Sequence, residues 1–247
     1  MALLVSLHLD AERQGPGSDA QTRQALAHTG LDLDSDLAVA DLGCGTGAST
    51  LVLARELSKA RITAVDFLPA FVQRLSQRAS QAGLGQRITP WVGSMEAPPF
   101  PEESLDLIWS EGAIYNLGFE KGVRLWRPLL KPGAVLAVTE LTWLTLDRPE
   151  ELTAYWVAQY PEVATTAEKL AVLERNGYRP RACFVLPHDC WLQNYYRPMQ
   201  QRWAAFLQTH HHSPQARSVV AAEEQEMALY ERHRDQMGYV FYVAQRL

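Results

Sequence analysis

The stretch Val39-Ala40-Asp41-Leu42-Gly43-Cys44-Gly45-Thr46-Gly47-Ala48-Ser49-Thr50 constrains this chain more than any other. A short apolar run leads into three glycines at alternate positions, and a helical pattern with Leu51, Val52, Ala54 and Leu57 follows. The run reads as a buried strand ending in a turn too tight for side chains, with a helix N-terminus opening beyond it. Such a turn lets a ligand approach bare backbone, and the first helical N–H groups, lacking intrahelical acceptors, attract an anion. A nucleotide-type site is implied, and the turn alone leaves open which nucleotide.

The neighbouring segments continue the alternation. A strand over Leu37 to Leu42 precedes the turn, and the helix after it ends near Ser58 and Lys59. Arg61 to Phe67 reads as a second strand with Asp66 at its C-terminal end. Pro69 to Ala82 reads as a helix with proline suited to its first turn, and Ile88 to Val92 as a third strand. Leu105 to Ser110 is a fourth strand, Gly118 to Leu130 a helix, Lys131-Pro132-Gly133 a turn and Ala134 to Leu141 a fifth strand. Strands and helices of this length in alternation predict a parallel sheet with helices on both faces.

The flanks differ. Residues 1–18 read as a mobile lead-in ending in the Gln14-Gly15-Pro16-Gly17-Ser18 turn cluster. Ser18 and Asp19 are N-caps for a helix that Gly30 stops, which either packs on the sheet or forms a flap over the ligand. After Leu141, helices over Pro149 to Tyr160 and Thr165 to Asn176 lead to a strand at Arg181 to Leu186. Two longer helical stretches, Cys190 to His210 and Ser213 to Gln236, then precede a last strand at Tyr239 to Ala244. This pattern predicts a terminal antiparallel pair interrupted by a helical insertion, which serves as a lid over the site or as a subunit contact in a homodimer.

Composition excludes several classes. The 247 residues are enough for one α/β domain with an elaboration, and 47% hydrophobic with 21% charged content is ordinary for a globular chain. A net charge of −5 argues against nucleic acid as partner, since phosphate neutralisation needs clustered Lys and Arg. The apolar start from Met1 to Leu9 lacks a basic leader and is soon followed by Asp10, Glu12 and Arg13, so no membrane partner and a cytoplasmic location are expected. Cys44, Cys183 and Cys190 form no CxxC and read as structural thiols. His188 with Cys190, and His210-His211-His212, fall short of a metal set, so no metal is expected.

Two cofactors compete for the turn. Gly43, Gly45 and Ala48 satisfy the GxGxxG/A dinucleotide fingerprint, with Asp66 at the distance of a ribose-binding acid. Against a nicotinamide cofactor stand Asp41 just before the turn, the third glycine at Gly47, and the expected terminal strand pair.

Asp41-Leu42-Gly43-Cys44-Gly45-Thr46-Gly47 resembles the signature of class I S-adenosylmethionine-dependent methyltransferases. The later landmarks follow the same order: Asp66, Gly93-Ser94-Met95, Leu105-Asp106-Leu107-Ile108 and Leu130-Lys131-Pro132-Gly133. Trp109 to Gly118, Arg13 to Ser18, Gln193 to Tyr196 and Gly238 to Tyr242 further resemble a bacterial subfamily of small methyltransferases with unassigned substrates. The resemblance implies an α/β, Rossmann-like seven-stranded sheet of six parallel strands and one antiparallel, with helices on both faces and a helical insertion at about 190–236. It divides one domain into an arm and helix (1–36), a cofactor-binding core (37–141) and the terminal strand pair with its insertion (142–247).

On this reading the cofactor is S-adenosylmethionine and the product S-adenosylhomocysteine. Gly43, Cys44, Gly45 and Gly47 hold the zwitterionic methionyl group, with Asp41 reaching its ammonium through water. Asp66 accepts the ribose hydroxyls, and Phe67, Ser94 and Met95 flank the adenine by analogy. Glu111 closes the cofactor set. Methyl transfer from a sulfonium is an in-line displacement, so the protein mainly positions the acceptor and excludes water; a base is needed only for a protonated acceptor.

Glu111 and Tyr115, just past the fourth strand, are the candidate catalytic residues. Tyr115, Asn116, Glu140 and Trp143 are the candidate substrate contacts. For Glu111 the competing reading is a turn carboxylate that holds a neighbouring N–H or arginine. The absence of an Asn/Asp-Pro-Pro-Tyr/Phe motif, the acidic balance and the expected lid point to a small-molecule acceptor. Two rival functions are a cofactor-binding sensor or interaction module without catalysis, and an NAD-dependent oxidoreductase.

Overall fold

The computed structural model describes residues 2–247; Met1, the head of the apolar start, lies outside the described residues. The sheet begins at β1 (Ala38–Leu42), whose Val39, Ala40 and Leu42 are buried on both faces, as a central parallel strand requires. Two helices precede the sheet, α1 (Ala2–His8) and α2 (Asp19–Ala27).

From β1 the chain runs through α3 (Ala48–Glu56), β2 (Arg61–Asp66), α4 (Pro69–Gln81) and β3 (Ile88–Val92). It continues through β4 (Leu105–Ser110), a 3-10 turn (Ile114–Asn116), α5 (Phe119–Trp126) and β5 (Leu130–Trp143). Then come α6 (Glu150–Gln159), β6 (Ala164–Thr165), α7 (Thr166–Arg175) and β7 (Tyr178–Val185). The last stretch holds α8 (His188–Trp191), a π-helical turn (Leu192–Tyr196), α9 (Arg197–Thr209), α10 (Pro214–His233) and β8 (Met237–Arg246).

The strand order is β3-β2-β1-β4-β5-β8-β7, with the two-residue β6 paired to β5 off that path. Neighbours from β3 to β5 are parallel, and β8 is antiparallel to both β5 and β7. This is the expected set of six parallel strands and one antiparallel, plus the short β6. The order reverses between β1 and β4, where an open α/β sheet offers its ligand crevice at the strand C-termini.

Both faces of the sheet are apolar. Along β5, Ala137, Leu141 and Trp143 join one core, while Leu136 and Val138 join the other, as the period of two dictates. Helix α4 buries Phe71, Val72, Leu75 and Ala79, a stripe at helical spacing. Helix α7 starts on a capping box in which Thr165 and Glu168 each satisfy the other's backbone N–H.

Two expectations need correction. The lead-in is structured: α1 spans Ala2–His8, and Leu7, His8, Ala11 and Arg13 are buried against the rest of the molecule. The apolar pair Leu3 and Leu7 suffices because α9 and α10 provide a surface to pack on, a tertiary effect no local pattern reports. Lys131-Pro132-Gly133 does not separate a helix from a strand. It lies inside β5 as a bulge, between the pairs Leu105–Leu130 and Leu107–Val135.

Proline also shapes the insertion. Pro198, in the first turn of α9, has no N–H to offer the preceding turn, and the chain there widens into the π-helical stretch Leu192–Tyr196. The wider turn leaves Tyr195 half-buried and Tyr196 fully buried. Among the described residues no helix is long and apolar enough to cross a membrane.

Candidate active site

Gly43, Gly45 and Gly47 all take positive φ, of 76°, 55° and 89°. Two of them are also required by close approach. A Cβ on Gly43 would lie 2.2 Å from the Ala113 Cβ, and one on Gly47 would lie 2.1 Å from Leu75 Cδ1. The turn is thus pressed between the loop after β4 and the inner face of α4. Gly43 N and Cys44 N donate to the Val65 carbonyl (2.8 and 3.1 Å), which fixes the turn to the end of β2. Cys44 is buried, and burial pushes its thiol well above the ordinary range, so it is inert.

Asp41 is fully buried beneath the start of α3. Its Oδ2 accepts from the Thr50 and Ser49 hydroxyls (2.6 and 2.8 Å), while Oδ1 is enclosed without a partner among the described residues. Burial raises its pKa from 3.8 to about 7; the two hydroxyls oppose the rise, and the Glu111 and Asp66 charges add to it. The orphaned Oδ1 is an acceptor with nothing to accept, which suits a site that takes a cationic ligand group nearby.

Asp66, at the end of β2, is held by backbone donors: Gly45 N to Oδ2 and Leu68 N to Oδ1, both 2.9 Å. Burial raises its pKa against those two bonds. Each oxygen keeps a further lone pair for a ligand hydroxyl. Phe67 beside it is 69% exposed, which removes it from the core and leaves an aromatic face open at the crevice. Ser94 is exposed and accepts from Glu96 N (3.1 Å), while Met95 is half-buried, its sulfur 3.7 Å from the Gly43 Cβ position.

Three of the sequence-derived candidates sit in settings that give them structural partners. Glu111 is fully engaged: Oε2 accepts from Arg13 Nη1 (2.9 Å), and Oε1 from the Thr22 hydroxyl (2.6 Å) and Trp109 Nε1 (2.9 Å). Three donors on one carboxylate tie it to the N-terminal arm, as the competing reading of a carboxylate that holds an arginine expects. Glu140 is 1% exposed and paired to Lys169 Nζ (2.7 Å), which also donates to the Glu162 carbonyl (2.8 Å). Burial raises the Glu140 pKa, opposed by Lys169. It is a buried ion pair under α7, with Oε2 enclosed and without a partner among the described residues. Trp143 is 5% exposed in the core, with the Arg148 guanidinium 4.7 Å above its ring.

Tyr115 and Asn116 do reach the crevice. Tyr115 is 39% exposed and packs edge-on to Tyr160 at 6.0 Å, whereas Asn116 is exposed and donates to the Ala113 carbonyl (3.0 Å).

The structure adds one residue that sequence reasoning missed. Gln14 Oε1 accepts from Thr46 N (2.9 Å) and the Thr46 hydroxyl (3.1 Å), while its Nε2 donates to the His8 and Ala11 carbonyls (both 3.2 Å). The arm thereby covers the glycine turn directly. Helix α2 itself packs beside α3 with Thr22, Ala25 and Leu26 buried, so the packing role falls to the helix and the covering role to the segment before it. The insertion is tied to the same arm: Asn194 Nδ2 donates to the Gly17 carbonyl (2.8 Å) and Gly17 N to the Cys190 carbonyl (3.3 Å). Only the Gln14-Gly15-Pro16-Gly17 cluster hinted at this, as a turn and not as a contact 32 residues away. Among the described residues no group of three or more His, Cys, Asp or Glu is placed to hold a metal ion.

Comparison with known proteins agrees with this geometry. Residues 39–133 match the model of a methyltransferase domain. The trans-aconitate 2-methyltransferase of Escherichia coli O1:K1 / APEC is 30% identical over 207 residues, covering 80% of this chain and 73% of that protein. A Geobacter sulfurreducens S-adenosylmethionine-dependent methyltransferase, solved with S-adenosyl-L-homocysteine, superposes with a TM-score of 0.86 at 19% identity, covering 100% of this chain and 98% of that one. The E. coli protein YjhP gives 0.87 at 17% identity, with 100% of both chains covered. At those identities the likeness to the two structures is one of fold.

Proposed function

The chain belongs to the S-adenosylmethionine-dependent methyltransferases, and on that premise we propose that it methylates a small-molecule acceptor in the crevice beyond β4 and β5. The observation that carries this reading is the double cover over that crevice, in which the arm and the helical insertion are hydrogen-bonded to each other at Gly17. An enclosed site suits a small acceptor and excludes water from a reactive methyl donor.

The residues fit the cofactor. The glycine turn presents backbone where side chains are sterically forbidden, and the α3 N-terminus favours the methionyl carboxylate. Asp41, with its orphaned oxygen, favours the ammonium. Asp66 is positioned by two backbone N–H groups so that its remaining lone pairs can accept ribose hydroxyls. Phe67 offers a ring face to the adenine, with Ser94 and Met95 at the opposite rim. When bound, S-adenosylmethionine supplies an activated methyl group that departs by in-line displacement.

The chain's own work is placement. Tyr115 and Asn116 line the entry from the β4 loop, and the Arg13–Glu111 pair holds the arm closed behind them. The relative named as a trans-aconitate methyltransferase supports a small organic acceptor as the class.

Isothermal titration with S-adenosylmethionine and S-adenosylhomocysteine, followed by labelling of a metabolite extract from the methyl-labelled cofactor, tests the reading. Binding of both cofactor forms and label in a small-molecule fraction are expected. Label found only in protein or nucleic acid would refute it.

A further inference from the structure

The inner face of the insertion carries two carboxylates on α10. On α10, Glu223, Glu226 and Tyr230 follow at spacings of three and four and face inward. Glu226 Oε1 accepts from the Tyr196 hydroxyl (2.9 Å), and its Oε2 has no donor among the described residues. Glu223, with 14% of its side chain exposed, lies 3.7 Å from His8 Nε2.

Aromatic rings surround the pair. Tyr195 stacks on His8 (centroids 6.0 Å, planes 8° apart) and lies 5.0 Å from Tyr196. Tyr239 packs 4.9 Å from Trp191. It also lies against Gly112 in the loop after β4, where a Cβ would come 3.5 Å from its Cε2. Because Tyr239 pairs with Leu141 near the end of β5, this cluster sits at the C-terminal ends of β4 and β5, where the acceptor must enter.

Independent polar groups point to a ligand there. Tyr239 is only 8% exposed; its hydroxyl makes no side-chain hydrogen bond among the described residues and, unlike the next two groups, is not itself enclosed. His8 is 9% exposed with Nδ1 enclosed and unpartnered, and Trp191 Nε1 is likewise without an acceptor. Buried polar atoms are satisfied in folded proteins unless something else completes them. Of the basic side chains nearby, Arg13 is taken up by Glu111 and Asp19, and Arg202 donates to the Leu7 carbonyl.

Resting on the small-molecule reading above, we infer that the acceptor is an organic cation, an amine held by Glu223 and Glu226 within the ring of Tyr115, Tyr195, Tyr196 and Tyr239. Paired carboxylates and tyrosine faces attract an ammonium through charge and cation–π contact, and repel a carboxylic acid. Substrate choice therefore departs from that of the relative named for trans-aconitate, although the cofactor cradle is of the same family. The mutual influence of these groups agrees with a shared space. Burial raises the Glu226 pKa to about 7, and the neighbouring Glu223 charge adds to the rise. Burial, reinforced by both carboxylates, raises the phenols of Tyr115 and Tyr195.

Titration calorimetry on the full chain saturated with S-adenosylhomocysteine tests the inference. The probes are tyramine and spermidine as cations, tyrosol as a neutral analogue, and 4-hydroxyphenylacetate and trans-aconitate as anions. We expect at least one of the two amines to bind tenfold or more tightly than every neutral and anionic probe. The double substitution Glu223→Gln/Glu226→Gln should abolish that preference while leaving S-adenosylhomocysteine affinity unchanged, which also reports an intact fold. Glu224→Gln, on the exposed face of the same helix, should leave amine affinity as it was. Equal or tighter binding of an anion, or no amine binding by protein that binds S-adenosylhomocysteine, overturns the cation assignment alone. Failure to bind S-adenosylhomocysteine overturns the small-molecule reading beneath it.

Discussion

Asp41→Asn should change how stability depends on pH, and the sign follows from burial. In the folded protein the Asp41 carboxyl titrates at about 7 against an ordinary 3.8, because it is enclosed beneath the first turn of α3. Between those values unfolding releases a proton, so stability is greatest below the unfolded pKa and declines as pH rises through the folded one. A difference of about three units corresponds to about 4 kcal/mol, reached only when both states are ionised. Asparagine keeps a carbonyl oxygen for the Ser49 and Thr50 hydroxyls and carries no titrating proton. The substitution's offset at low pH is therefore constant, and its advantage over the native residue grows between pH 4.5 and pH 8 by up to about 4 kcal/mol.

Urea denaturation followed by tryptophan fluorescence at half-unit steps measures both curves. Glu226, which also titrates at about 7, contributes equally to each and cancels in the difference. A cation placed near Asp41 lowers its pKa, so saturating S-adenosylmethionine should flatten the native curve more than that of the variant. Parallel native and variant curves would show that Asp41 is not the buried acid described here.

Substitutions at four further sites, one of them with a second change at its partner, separate holding from binding. Phe67→Ala removes an exposed ring, so folding stability should move by no more than about 0.5 kcal/mol, while calorimetry should find cofactor binding weaker by about 1 kcal/mol. Asp66→Ala should weaken the same binding by about 1–3 kcal/mol through lost charge-assisted bonds; unchanged affinity would remove it from the ribose role. Lys169→Met strands Glu140 and should cost about 3–5 kcal/mol in denaturation, with most of that loss recovered when Glu140→Leu is added. Glu111→Gln should speed hydrogen exchange in residues 11–18 by loosening the Arg13 contact, and an arm as protected as before would discount the clamp.

The core of the fold was legible because its signals are local. Glycines that must take positive φ, strands buried on both faces and an acid at the end of β2 each declare themselves within a few residues. What escaped depends on contacts distant in sequence. Gln14 looks like part of a turn until Thr46 is brought to it. Glu223, Glu224 and Glu226 look alike in a charged helix, and only packing against Tyr196 and His8 decides which of them turn inward. Lys169 in Thr-Ala-Glu-Lys-Leu reads as a solvated helix residue, yet it is 2% exposed because Glu140 waits beneath it.

The fates of Glu111 and Glu140 say where substrate selectivity must reside. Glu111 stands just past β4 and Glu140 near the end of β5, where an acceptor contact was expected, and both are engaged in holding other elements, Glu111 the arm and Glu140 helix α7. Each carboxylate is committed to an element of this chain through a charged partner, Arg13 for Glu111 and Lys169 for Glu140, and that pairing competes with any ligand. Around the acceptor the sheet therefore contributes Tyr239 and the loop bearing Tyr115, while the open carboxylates come from α10. Since α10 lies outside the strands that form the cofactor cradle, changes on its inner face can alter the acceptor while the glycine turn and Asp66 remain as they are. Exchange of Glu223 and Glu226 for other side chains is thus the shortest route by which this scaffold would change substrate.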